Sequence, residues 1–359
     1  MRFIYKTSYD QDIRLIKHSG QAFWYCVLLA VLLTAPWSFG EYWLSQLTFI
    51  LIYGVIGLGL MLLSGYTGLF SMGQAAFMGV GAYCEAVLTN AGWPFPLSLA
   101  AVAALTAATG TVIGVPALRI RGMYLGIATL SFGFVVVEVL ARWESVTGGN
   151  AGIAVGAPVL LGDWKIASPA SFYLLCLAVT ALATLFTLNL LRSPIGRAFV
   201  AIRDSEVSAL SMGINLARYK TLSFTISAAL TGIGGALYAH KLQFISPDQF
   251  DIVQSLDLLL LVVIGGLGSV HGAFFGALFL ITMPQLISLG KDFLPPSIGQ
   301  ASGLQGLVYG LVLIAFVLYE PLGIHGRWVK IRTYLELGPF YRKGMFARQK
   351  SFQKSDRLK

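Results

Sequence analysis

Ten runs of about 20 mostly apolar residues recur along this chain, near 22–39, 44–63, 71–91, 97–116, 122–141, 171–191, 219–239, 252–268, 270–289 and 305–320. An α-helix rises 1.5 Å per residue, so about 20 residues span a hydrocarbon core roughly 30 Å thick. Lipid offers the backbone no hydrogen bonds, and runs of this length satisfy their own only as helices. The sequence therefore predicts an all-α integral membrane protein of about ten transmembrane helices. The run near 252–268 is short and meets the next at Gly268 and Ser269, so this pair reads either as two crossings or as a re-entrant, broken element. Charged residues make up 11% of the chain, against roughly 25% in soluble domains, which leaves no room for an attached globular enzyme. Three regions follow: an N-terminal segment 1–21, a membrane domain 22–320 and a basic tail 321–359.

The basic residues give the chain an orientation. With the N-terminus inside, 21 of the 25 Lys and Arg residues fall on the inner side, and only Arg142, Lys165, Lys241 and Lys291 lie outside. That bias is the one expected of cytoplasmic loops, and it places both termini in the cytoplasm. The net charge of +9 has the same origin, since Arg342, Lys343, Arg348, Lys350 and Lys354 of the tail would rest against anionic headgroups of the lipid bilayer. No nucleic-acid motif accompanies them, so a nucleic-acid partner is not expected. Cys26, Cys84 and Cys176 all lie in apolar runs without paired spacing or clustered histidines, which marks them as small core residues and not metal ligands. The polar stretch holding Asp10 and Asp12 ahead of the first run is unlike a cleaved signal peptide.

The long loop over 192–220 carries the clearest local design. Ser193-Pro194 is a helix start, and Asp204 is placed to cap a second short helix whose first turn holds Glu206. Val207, Leu210 and Ile214 then share one face, and Gly213 ends the helix. Physical chemistry alone allows such a helix to lie on the membrane or to seat in a partner's groove.

Ordered motifs narrow the choice. They run from Gly65-Tyr66-Thr67-Gly68 and Ser71-Met72-Gly73-Gln74-Ala75-Ala76-Phe77 through Arg119-Ile120-Arg121-Gly122 and Thr147-Gly148-Gly149-Asn150. Arg203-Asp204-Ser205-Glu206, Phe244-Ile245-Ser246-Pro247-Asp248 and Gly265-Gly266-Leu267-Gly268 continue the series. Over residues 45–320 the chain resembles the permeases of branched-chain amino acid ABC importers, in particular their LivM-type subunit. The resemblance implies an ABC importer permease fold of two weakly related halves, a LivH-type permease partner, two cytoplasmic ABC ATPase subunits and a periplasmic solute-binding protein. It implies import of branched-chain or related amino acids across the bacterial inner membrane, with aromatic or other small carboxylates or amides as alternative solutes. Glu206, Ala209 and Gly213 match the spacing of the loop by which such permeases dock on their ATPase, with Arg203, Asp204 and Leu210 beside them; small residues at 209 and 213 would let the partner approach closely. No G-x-x-x-x-G-K-[ST] loop occurs, so the chain should bind no cofactor of its own, ATP and Mg belonging to the ATPase subunits.

Other features admit more than one reading. Gly68–Gly79 is echoed one residue shorter by Gly266–Gly276, either through duplication or through chance similarity of glycine-rich helices. Glu138 and Arg142 suit a local i,i+4 ion pair. Glu85, where the family more usually has a small or hydroxyl residue, and Asp257 are carboxylates inside spans and hence candidates for the solute pathway. Against that, Glu85 could be satisfied within the bundle, and Asp257 could cap a helix. Gly268, Gly272 and Gly276 repeat every fourth residue and suit close packing or sliding of helices. His240 and His271 read as hydrogen-bonded residues at span ends. Trp37, Tyr42, Trp43 and Trp93 read as an interfacial belt. An ion-coupled secondary transporter or channel remains the competing class; a membrane enzyme is weaker, because no catalytic constellation is recognisable.

Overall fold

The computed structural model describes residues 19–117, 120, 122–160, 165–166, 168–291, 304–319 and 323–337. Most of the N-terminal segment 1–21, Arg119, Arg121 and the tail beyond 337 lie outside the described residues, and with them the headgroup contacts expected of the tail.

The described residues are helical almost throughout. In order, the helices are α1 (Ser19–Ser38), α2 (Glu41–Leu60), α3 (Gln74–Asn90), α4 (Phe95–Ala117), α5 (Met123–Arg142), α6 (Glu144–Thr147) and α7 (Pro169–Arg192). Then come α8 (Pro194–Asp204), α9 (Glu206–Ser211), α10 (Leu216–Leu242), α11 (Ile252–Gly265), α12 (Val270–Lys291), α13 (Leu304–Tyr319) and α14 (Gly323–Leu337). A small antiparallel pair, β1 (Ile153–Ala154) with β2 (Phe244–Ile245), ties the loop after α5 to the exit of α10.

Six of these helices, α2 with its extension to Tyr66, α4, α5, α7, α10 and α12, are long and apolar enough to cross a membrane. Among the described residues no other helix meets that measure, so the expected count of about ten is not confirmed. α3 has 17 residues and α11 has 14, roughly 26 and 21 Å of helix, short of a core about 30 Å thick. Among the described residues α1 and α13 contribute the shorter apolar stretches Ala22–Ser38 and Gly306–Phe316.

The bundle is organised around α2 and α10. Their most apolar windows are 78% and 67% buried, against 28% in the other four long helices, so these two form the centre and the rest surround them. α10 packs along α4, α3 and α2, and α12 packs on α11 and α2. Close approach depends on glycine: a Cβ on Gly235 of α10 would stand 2.1 Å from the Met78 carbonyl oxygen of α3. Several buried hydroxyls are satisfied within their own helices, as where Thr48, Thr106 and Thr187 donate to the carbonyls four residues earlier. Trp37, Tyr42, Trp43 and Trp93 are exposed at one end of the bundle, in keeping with the expected belt.

Two breaks interrupt this regularity. The last turn of α2 widens into a π-helix over Met61–Tyr66, and an irregular stretch leads to α3. The chain breaks again between α11 and α12, where Gly266 and Gly268 have φ of +114° and +81°. These are the two segments whose sequences echo each other. Gly268 therefore belongs to the turn and not to a helical stripe, which corrects the expected run of three packing glycines. Gly272 and Gly276 do lie on α12 at the closest point of the hairpin: a Cβ on Gly276 would stand 1.8 Å from the Leu261 carbonyl oxygen, and one on Gly265 1.9 Å from that of Gly272.

Candidate functional site

The loop over 192–220 folds into two short helices by local rules. Ser193 caps α8 by accepting the Ile195 N–H at 3.2 Å, with Pro194 at the first position. α9 is capped by Ser205, whose hydroxyl oxygen accepts the Ser208 N–H at 3.2 Å, and not by Asp204 as the sequence suggests. Asp204 instead ends α8 and accepts two hydrogen bonds from its neighbour Arg203, each 3.1 Å. At the far end the Ile214 N–H reaches the Ala209 carbonyl and the Gly213 N–H reaches that of Leu210, both at 3.0 Å. This double closure needs a left-handed residue, and Gly213 supplies it with φ of +83°.

Burial revises two roles on α9. Ala209 is 1% exposed and faces this chain's own interior; its small size serves internal packing, not the approach of a partner. The outward face is apolar, with Val207, Leu210 and Met212 at 77%, 60% and 81% exposure. Glu206 points back toward α10 and pairs with Lys220 at 2.7 Å, a lysine side chain only 3% exposed. Nothing in the sequence alone pairs that lysine with Glu206, 14 positions away.

Arg203 joins this surface to the interior. Its Nη1 donates to the Gly65 carbonyl oxygen at 3.0 Å, in the π-turn that ends α2. A Cβ on Gly68, at φ of +74°, would stand 2.9 Å from Arg203 Cγ, and one on Gly268 would stand 3.4 Å from Arg203 Nη1. One guanidinium thus sits where both helix breaks come together, at the end of α8 from which α9 projects. Gly65 was missed as a partner because nothing local links it to a residue 138 positions away.

The carboxylates inside the bundle have different fates. Glu85 is fully buried and its Oε1 accepts from Ser98 at 2.7 Å and Thr89 at 3.2 Å, and meets His240 Nε2 at 2.9 Å. His240 Nδ1 lies 2.9 Å from the Gly156 carbonyl oxygen. A carbonyl can only accept, so Nδ1 is the donor in that bond. The geometry of Glu85 is that of a structural network joining α3, α4 and α10 beneath the β1–β2 loop. Glu85→Gln should accordingly leave the KM for uptake within about twofold, measured as initial rates against solute concentration; a tenfold rise would restore Glu85 to the pathway. Asp257 is half-buried on α11, and the cap of that helix is Asp251, which accepts the Gln254 N–H at 3.0 Å. Capping is thereby ruled out for Asp257. Glu138 and Arg142 form the expected pair, both exposed. His271 bonds Tyr25 at 2.8 Å, as expected of a span-end histidine.

The arrangement is a helical membrane bundle with a lever-like projection wedged against two helix breaks. Residues 42–317 match the family model described as branched-chain amino acid transport system / permease component. The chain belongs to this family. As a permease it is a transport subunit and an integral membrane protein, not an enzyme. It is 33% identical over 322 residues to the high-affinity branched-chain amino acid transport system permease protein LivM of Salmonella typhimurium, covering 83% of this chain and 73% of the relative. The LivM protein of Escherichia coli is likewise 33% identical, over 326 residues, 84% of this permease and 74% of the relative. A probable LivH permease of Methanocaldococcus jannaschii is 25% identical over 224 residues, 59% of this chain and 67% of the relative. No solved structure gives a significant match.

Proposed function

We propose that this permease is the LivM-type half of a heterodimeric channel, paired with a LivH-type subunit in the bacterial inner membrane. It imports branched-chain amino acids from a periplasmic binding protein, powered by two ATPase subunits that hold ATP and Mg in the cytoplasm. Both termini and the α8–α9 loop face that compartment. In this reading Val207, Leu210 and Met212 seat in an ATPase groove, and Arg203, Asp204 and Glu206 fix α8 and α9 as a rigid lever. Ala209 and Gly213 serve to build the lever.

The observation that carries the proposal is Arg203, which ties the projecting helices to the breaks in α2 and between α11 and α12. Movement of α9 would displace both breaks together, which is what alternating access requires of a bistable bundle. The test is reconstitution of the permease with its partner permease, ATPase subunits and binding protein. Leucine uptake should need all of them and ATP. Uptake by this chain alone under an ion gradient would overturn the proposal in favour of a secondary transporter.

A further inference from the structure

A small open pocket of about 110 Å³ lies between α5 and the start of α11, toward the end of the bundle opposite Arg203. Leu130, Phe134 and Val137 of α5 form one wall, and Phe250 and Ile252 the other. Asp251 is the only charged residue among those that line it, and Ser255 brings the only hydroxyl.

The two polar groups are arranged along one face of α11. Asp251 uses Oδ1 to cap the helix, and its second oxygen takes no hydrogen bond among the described residues. Ser255 is 4% exposed and accepts the Ala75 N–H at 3.2 Å, while its own hydroxyl hydrogen has no acceptor among the described residues. Ala75 lies in the first turn of α3, a 17-residue helix that starts inside the bundle. The same start is tied to α5 where Met72 N–H meets Thr129 Oγ1 at 3.0 Å. The positive end of α3 is thus held beside Ser255, in the manner of the interrupted helices that receive anionic groups in transporters.

We propose that this pocket is a transit site for an α-amino acid with an aliphatic side chain. It rests on the permease reading above and supplies residues for it. The ammonium pairs with the second oxygen of Asp251. The carboxylate accepts from the Ser255 hydroxyl and faces the start of α3. Asp251 caps α11 and Ser255 follows within its first turns, and both line the pocket, where they can serve the two ends of an amino acid headgroup together. The side chain lies against Leu130, Phe134 and Val137, where branched hydrocarbon replaces water.

The test uses the fully assembled transporter. Asp251→Asn keeps a side chain that caps helices as well as aspartate does, so α11 stays folded while the negative charge is lost. It should raise the KM for leucine at least tenfold, and Val137→Phe should shift the preference from leucine toward the smaller valine. ATP hydrolysis in the absence of solute is the measure that the complex remains assembled. Unchanged leucine KM in Asp251→Asn, with the wild-type complex transporting normally, would overturn the site and leave the pocket to a lipid chain. A wild-type complex that carries no amino acid would sink the permease reading itself, and this site with it.

Discussion

Arg203→Ala will cut solute uptake to below about a tenth of wild type while the assembled transporter goes on hydrolysing ATP. The guanidinium donates to the Gly65 carbonyl from one nitrogen and to Asp204 from two others. Alanine removes all three bonds and empties the space pressed between Gly68 and Gly268. The helices α8 and α9 keep their own caps at Ser193 and Ser205, so the partner surface survives and only its connection to the breaks is lost. Arg203→Lys should fall between the two, since a lysine keeps the charge but not the planar fork that serves two acceptors at once. Uptake and hydrolysis measured side by side in vesicles decide the matter; wild-type uptake by Arg203→Ala would show that the connection transmits nothing.

The second large effect belongs to Glu206. Its partner Lys220 is buried at the start of α10, where a positive charge also opposes the helix dipole. Removing one member of a buried ion pair costs roughly 3–5 kcal/mol, because an uncompensated charge is left behind. Glu206 is itself 28% exposed, which places Glu206→Ala toward the lower end of that range. A thermal melt of the purified protein should show the loss directly. Replacing both residues by methionine should recover much of it, as apolar pairs of similar volume do. Glu206→Lys should abolish transport for the same internal reason, by setting two ammonium groups against each other. If Glu206→Ala melts as wild type and yet blocks transport, the glutamate meets the ATPase and not Lys220.

How far the sequence disclosed this architecture can be judged residue by residue. Apolar run length located the helical segments to within a few residues, as with 122–141 against Met123–Arg142, because burial in lipid acts on each run separately. The count of about ten crossings is not confirmed by helix length, since six helices among the described residues are long and apolar enough to cross. In the lever, Ser193-Pro194 and Gly213 were legible because caps are local chemistry. The choice between Asp204 and Ser205 as cap was not, because it turned on Arg203 claiming the aspartate. Long-range partners were invisible for the same reason. Glu85 meets His240 from 155 positions away, and Lys220 is buried only because α9 folds back over it. Asp257 drew attention by its position within a span, whereas Asp251, just ahead of that span, caps α11 and lines the pocket.

The hairpin of α11 and α12 has a mechanical consequence. Where Gly265, Gly272 and Gly276 let main chain rest on main chain, no flexible side chains stand between the two rods to absorb a push by changing rotamer. Close-packed interiors pass strain on, so the pair must tilt as one plank about its turn. A nudge received beside Gly268 would reappear at Asp251, some 20 Å of helix away, as a change in the width of the opposite mouth.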